Sequence, residues 1–156
     1  MRMKKLLSAL GLVLALPLAT VRSAAFVALA TALLGGCASS PPAGVPASVT
    51  VVPDSRGVQR VNVIAGNYYF QPSHVIVRAG LPVELTIERH SLIPHTFTIA
   101  APTAGIAVDV KLSREPTTVS FTPKAPGSYR FICTEDPPFL ASHLERGMQG
   151  TLEVLP

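Results

Sequence analysis

The sequence predicts an all-β protein, a two-sheet β-sandwich of seven or eight short strands, on three observations. From Val58 onward, short runs alternate apolar and polar residues. Proline and glycine separate these runs, and after the N-terminal segment no apolar stretch of useful length follows the helical period. Alternation of period two is what a strand needs when one face is buried and the other wet.

Residues 1–36 read as a lipoprotein signal peptide. Behind Met1-Arg2-Met3-Lys4-Lys5, an apolar run extends from Leu6 to Val21, breaks at Arg22 and Ser23, and resumes from Ala24 to Leu34. It ends in Leu34-Gly35-Gly36-Cys37, which resembles a bacterial lipoprotein box. A small residue ahead of the cysteine admits a signal peptidase, and Cys37, then the N-terminus, receives lipid. The other reading is an uncleaved anchor, long enough to span a bilayer if Arg22 is tolerated. Either route puts the folded part in the periplasm or outside the cell, beside a membrane. Ala38 stands where an aspartate often holds lipoproteins at the inner membrane, which slightly favours the outer one.

Residues 37–57 carry the lipidated cysteine and a tether rich in Ala, Ser, Val and Pro, without helical or alternating period. Extended and stiffened by proline, about 20 such residues reach at most roughly 60 Å.

Residues 58–156 form the folded domain. Val61 and Val63, Val75 and Val77, and Val108 and Val110 each mark a strand with one buried face. Val83, Leu85 and Ile87 alternate with Glu84, Thr86 and Glu88; Val119 and Phe121 with Thr118 and Ser120; Leu152 and Val154 with Thr151 and Glu153. Breaks fall at Gly66-Asn67, Ala79-Gly80, Ala104-Gly105 and Pro126-Gly127. Two-sheet packing of such strands gives a sandwich.

The net charge of +4 comes from the targeting segment, which holds four of the thirteen basic residues and no acidic one. The nine that remain balance nine acidic residues, so a basic pI gives no support for nucleic-acid binding by the mature chain.

Cys133 and Met148 are the only sulfur residues beyond the targeting segment and Cys37. With Cys37 lipidated, Cys133 has no disulfide partner within the chain, and in an oxidising compartment a metal would protect it. Cys133 shares its strand parity with Tyr129 and Phe131, and His95 shares that of Phe97 and Ile99. Two inward-facing donors thus arise at strand ends, and His143 and Met148 follow on the loop before the last strand. One thiolate, two imidazoles and a thioether match a blue-copper site, whereas tetrahedral zinc usually takes more thiolates and no thioether. His74 alternates with inward Val75 and Val77 and should face solvent; His90 is expected on the surface or in a loop.

The segments FQPSHVIVRAGLPVELTIE, IPHTFTI, FTPKAPGSYRFIC and HLERGMQGTLEV, in that order, resemble successive pieces of the cupredoxin family of blue copper proteins. The resemblance covers nearly all of Val58 to Leu155 and implies a Greek-key sandwich holding one type 1 copper ion. It also implies His95, Cys133 and His143 as equatorial ligands, Met148 as the axial one, and the outer ring edge of His143 as the electron exit. Gly147 before the methionine and Gly150 after it fit the family.

There are two departures. Nine residues, TEDPPFLAS, separate Cys133 from His143, closer to the long loop of copper nitrite reductases than to the short one usual in the family. Thr96 follows the first histidine where several members place an asparagine that ties the ligand loops together, so any such tie must be weaker or differently made. Within the spacer, Pro137, Pro138, Phe139 and Leu140 either form an apolar ledge beside His143, rimmed by Glu135 and Asp136, or pack inward.

The function expected is electron carriage by Cu(I)/Cu(II) cycling in a monomer. Its partners would be redox proteins such as a c-type cytochrome or a terminal oxidase or reductase. Copper capture or delivery in the periplasm is the alternative. Enzymes of this resemblance carry a histidine next to the cysteine, and here the neighbours are Ile132 and Thr134.

Overall fold

The computed structural model describes residues 46–156, together with Pro41 and Gly44. The signal segment and Cys37 lie outside the described residues. Among the described residues, no helix is long and apolar enough to cross a membrane.

The strands are β1 (Ser48–Thr50), β2 (Gln59–Gly66), β3 (Tyr69–Gln71), β4 (His74–Arg78), β5 (Val83–Arg89), β6 (His95–Ala101), β7 (Ile106–Leu112), β8 (Thr117–Phe121), β9 (Gly127–Ile132) and β10 (Gln149–Leu155). One sheet has the order β1-β4-β10-β9-β6-β7 and the other β3-β2-β5-β8. The all-β sandwich is thus as expected. Its eight longer strands match the eight alternating runs, and two three-residue strands, β1 and β3, add to them.

β1 lies within the stretch expected to be tether. It pairs in parallel with β4, Val49 opposite Val75, and the Val51 N–H donates to the Ile76 carbonyl at 2.9 Å. Three residues are too few for alternation to register, and the strand exists because β4 offers it an edge. Asp54 then closes a turn, its carboxylate accepting the Arg56 and Val58 N–H groups.

The inward rows behave as the pattern requires. Val63, Val75, Val77, Val83, Leu85, Ile87, Leu152 and Val154 are all buried between the sheets. Phe70, Phe97 and Phe131 meet at the core's centre with ring centroids 5.1–5.5 Å apart, a geometry worth about 0.5–1.5 kcal/mol per pair beyond the area removed from water.

Antiparallel pairing fixes which chain ends share a pole. β6 pairs with β9, Thr98 opposite Ile132, so the start of β6 lies beside the end of β9. β9 also pairs with β10, Ile132 opposite Gln149, and one step beyond it the Cys133 N–H donates to the Met148 carbonyl at 3.1 Å. His95, Cys133 and Met148 therefore gather at one end of one sheet.

Candidate metal centre

His95 opens β6 and continues the buried row of Phe97 and Ile99. Cys133 follows β9 and is completely buried, as are His95 and Met148, while His143 keeps 5% of its surface exposed. The Nδ1 atoms of the two histidines lie 3.1 Å apart. Cys133 Sγ is 3.4 Å from Nδ1 of His143 and 3.8 Å from Nδ1 of His95. The point equidistant from three atoms so spaced lies about 2.0 Å from each, compared with roughly 2.0–2.1 Å for a zinc–imidazole bond and about 2.3 Å for a zinc–thiolate one. The donor triangle fits a first-row metal ion, and its softness suits copper.

His143 and Met148 are set by a single helical turn with a reciprocal cap. The Ser142 N–H and hydroxyl donate to the Glu145 carboxylate at 2.8 and 3.0 Å, and the Glu145 N–H returns to Ser142 Oγ at 3.2 Å. These bonds hold the Glu145 carboxyl below its ordinary pKa. Gly147 takes the left-handed conformation at φ +91° that ends the turn. The Met148 N–H then donates to the His143 carbonyl at 2.9 Å, and the His143 N–H to the Glu135 carbonyl at 3.0 Å. The long spacer is therefore pinned at both ends.

Burial, reinforced by the His143 and Arg89 charges, pushes His95 down to about 4. His143 is lowered too, chiefly by burial, with Glu135 opposing and Arg146 assisting. Both imidazoles are therefore neutral at pH 7, the state that binds metal. Nδ1 of His95 faces the other donors, whereas its Nε2 is buried without a hydrogen-bond partner.

Three neighbours of the centre were not assigned to it from sequence. Thr134 pairs with Thr96, whose N–H approaches Cys133 Sγ at 3.4 Å. Tyr68 sits in the turn between β2 and β3 at φ +66° and meets the His143 ring edge-on at 5.1 Å. Arg146 lies over the opposite partner of this stack, its guanidinium carbon 4.6 Å from the Tyr68 centroid. The Ser-x-x-Glu spacing is the one local signal that could have pointed to the cap, and the Tyr68 contact has none.

The remaining histidines stand apart. His74 is bound to Ser48 and Glu153, and His90, half exposed, to Glu88. In the spacer, Phe139 is fully exposed at φ +63° and Leu140 is 63% exposed, which decides for the ledge over inward packing.

A profile of the cupredoxin-like domain matches residues 25–152. No curated protein matches the chain. Among solved structures it is similar to the Cu(I)-bound metal-binding domain of the Cu(I)-exporting P-type ATPase CopA of Streptococcus pneumoniae, at 21% identity and TM-score 0.51, covering 70% of this chain and 96% of that one. It is similar to a copper-binding protein in the apo form at 17% identity and TM-score 0.53, covering 70% and 100%. Reduced auracyanin of Roseiflexus castenholzii matches at 24% identity and TM-score 0.50, covering 62% and 97%. These likenesses bear on the fold.

The chain belongs to the cupredoxin family. It is a blue copper protein whose cofactor is one copper ion, with His95, Cys133, His143 and Met148 arranged as a type 1 centre.

Proposed function

We propose that this protein carries single electrons between redox partners outside the cytoplasm, with His95, Cys133 and His143 as equatorial copper ligands and Met148 as the axial one. The observation that carries this reading is enclosure: three donor atoms in mutual contact, on strand ends and a capped turn, with His95, Cys133 and Met148 fully buried. The bound copper supplies the one-electron couple. The chain's residues hold the donors fixed and keep water away, so that little moves when the charge changes. Delivery of copper to another protein needs open ligands for exchange, and burial of this kind opposes it.

Cys37 anchors the chain by lipid to a membrane, the outer one slightly favoured, and a c-type cytochrome or a terminal oxidase or reductase is the partner class. The exposed Phe139 and Leu140 beside Glu135 and Asp136 suit brief docking with a basic partner. A protein without substrate should give a reversible one-electron wave in film voltammetry and exchange electrons with a reduced c-type cytochrome. Copper uptake without a reversible wave would turn the reading toward delivery. Labelling with an alkyne fatty acid, lost in Cys37→Ser, tests the anchor.

A further inference from the structure

Beside the metal centre, the ends of β5 and β7 and the loop before β6 enclose a cleft of about 490 Å³ lined by Arg89, Arg114, His90, Ser91 and Asn67 among others. The register explains its composition. Ala65 pairs with Arg89, so Asn67 lies one residue beyond the end of β2, and His95 pairs with Leu112, so Arg114 lies two residues beyond the end of β7.

Two guanidinium groups stand here without a counter-ion among the described residues. Arg89 donates from one terminal nitrogen to the Ile93 carbonyl at 3.3 Å, while its Nε is buried and has no partner. Arg114, exposed, makes no hydrogen bond or ion pair among the described residues. Among the described residues, the one carboxylate paired with a lining residue is that of Glu88, 3.2 Å from His90 Nε2. Asn67 has its carboxamide oxygen engaged by the Ser91 hydroxyl at 2.5 Å, which leaves its NH2 as a further donor. Arginine forks match the oxygens of a carboxylate or phosphate.

We propose that this cleft is a binding site for a small oxyanion of the phosphate or carboxylate class, held by Arg89, Arg114 and Asn67 next to His95. The site does not depend on the metal. Its consequence does rest on the copper reading: the Arg89 charge is felt at His95, so an anion that offsets it favours the more highly charged Cu(II) and lowers the reduction potential.

The test is calorimetric titration of the full chain, copper-free and in neutral detergent, with sodium phosphate, sodium acetate and sodium chloride. The expected result is saturable binding of one oxyanion per chain, absent with chloride, and weakened about tenfold or more in both Arg89→Gln and the exposed Arg114→Gln. Preference for phosphate assigns a tetrahedral anion, and preference for acetate a carboxylate. No saturation by either oxyanion, an equal response to chloride, or unchanged binding in both variants overturns the site. In the copper-loaded protein, oxyanion should lower the potential in wild type, and Arg114→Gln should need about tenfold more oxyanion for the same shift. A wild-type potential that stays fixed while binding holds overturns the coupling.

Discussion

Thr96 and Thr134, each the residue after a donor at the end of a different strand, are tied by one hydroxyl: Thr96 Oγ1 accepts the Thr134 N–H at 2.7 Å and lies 2.9 Å from its Oγ1. This links the His95 and Cys133 chain ends where an asparagine would otherwise do so. Thr96→Val keeps the shape and removes the tie. It should cost about 1 kcal/mol in the copper-free protein and shift the reduction potential, with Thr96→Ser restoring both. Thermal unfolding and voltammetry check this; a valine variant with the wild-type potential would confine Thr96 to a structural role.

Met148 is completely buried and joined by backbone bonds to both Cys133 and His143. Met148→Leu should keep copper and colour while the potential rises, because a weak axial donor is lost and the site stays dry. An unchanged potential would remove Met148 from the ligand set.

Tyr68 braces the His143 ring, and Arg146 covers Tyr68. An edge-to-face pair contributes about 0.5–1.5 kcal/mol, so Tyr68→Ala should weaken copper affinity by roughly two- to tenfold, and Tyr68→Phe should retain it. Competition with a copper chelator measures the difference; equal losses in both variants would assign the effect to the hydroxyl.

Because His95 is held at about 4, against an ordinary 6.5, the unfolded chain binds a proton that the native fold refuses between those values. The copper-free protein should therefore have its full stability above about 6.5 and lose it as the pH falls toward 4. The depressed His143 adds to the loss with the same sign. The His95 contribution is about 3 kcal/mol. Urea unfolding at several pH values should give a steeper acid loss in wild type than in His95→Asn; parallel curves would contradict the shift.

Phe139 is an exposed aromatic residue in a left-handed conformation. Phe139→Ser should slow electron exchange with a basic cytochrome several-fold and leave the potential and colour unchanged. Stopped-flow kinetics at low and moderate salt separate this contact from the screened acidic rim of Glu135 and Asp136. An unaltered rate would take Phe139 out of the docking surface.

The sandwich was legible because its eight longer strands each bury one face, and burial of alternate residues leaves a period in the sequence. β1 left none, since it is held by β4 rather than by its own pattern. The inward aim of His95 and Cys133 followed from parity and strand ends, while His143, on a loop, joined them through the family resemblance. What surrounds them did not: Tyr68 reaches His143 across 75 positions, and no local rule predicts such a contact. Whether Phe139 packed inward or stood in solvent depended on the path of a nine-residue loop, and that path is set by backbone bonds such as His143 N–H to Glu135. The unpaired Arg89 and Arg114 were likewise invisible, because scattered charges reveal their partners only when strand register brings them together.

Electron carriage by this protein requires a copper ion bound by the Cys133 thiolate between two histidines. Adding Cu(II) to the chain after Cys37 and recording visible absorption with electron paramagnetic resonance tests it most directly. An intense thiolate-to-copper charge-transfer band that disappears in Cys133→Ser is the predicted result. A colourless Cu(II) form, or a band that survives the serine substitution, would contradict it.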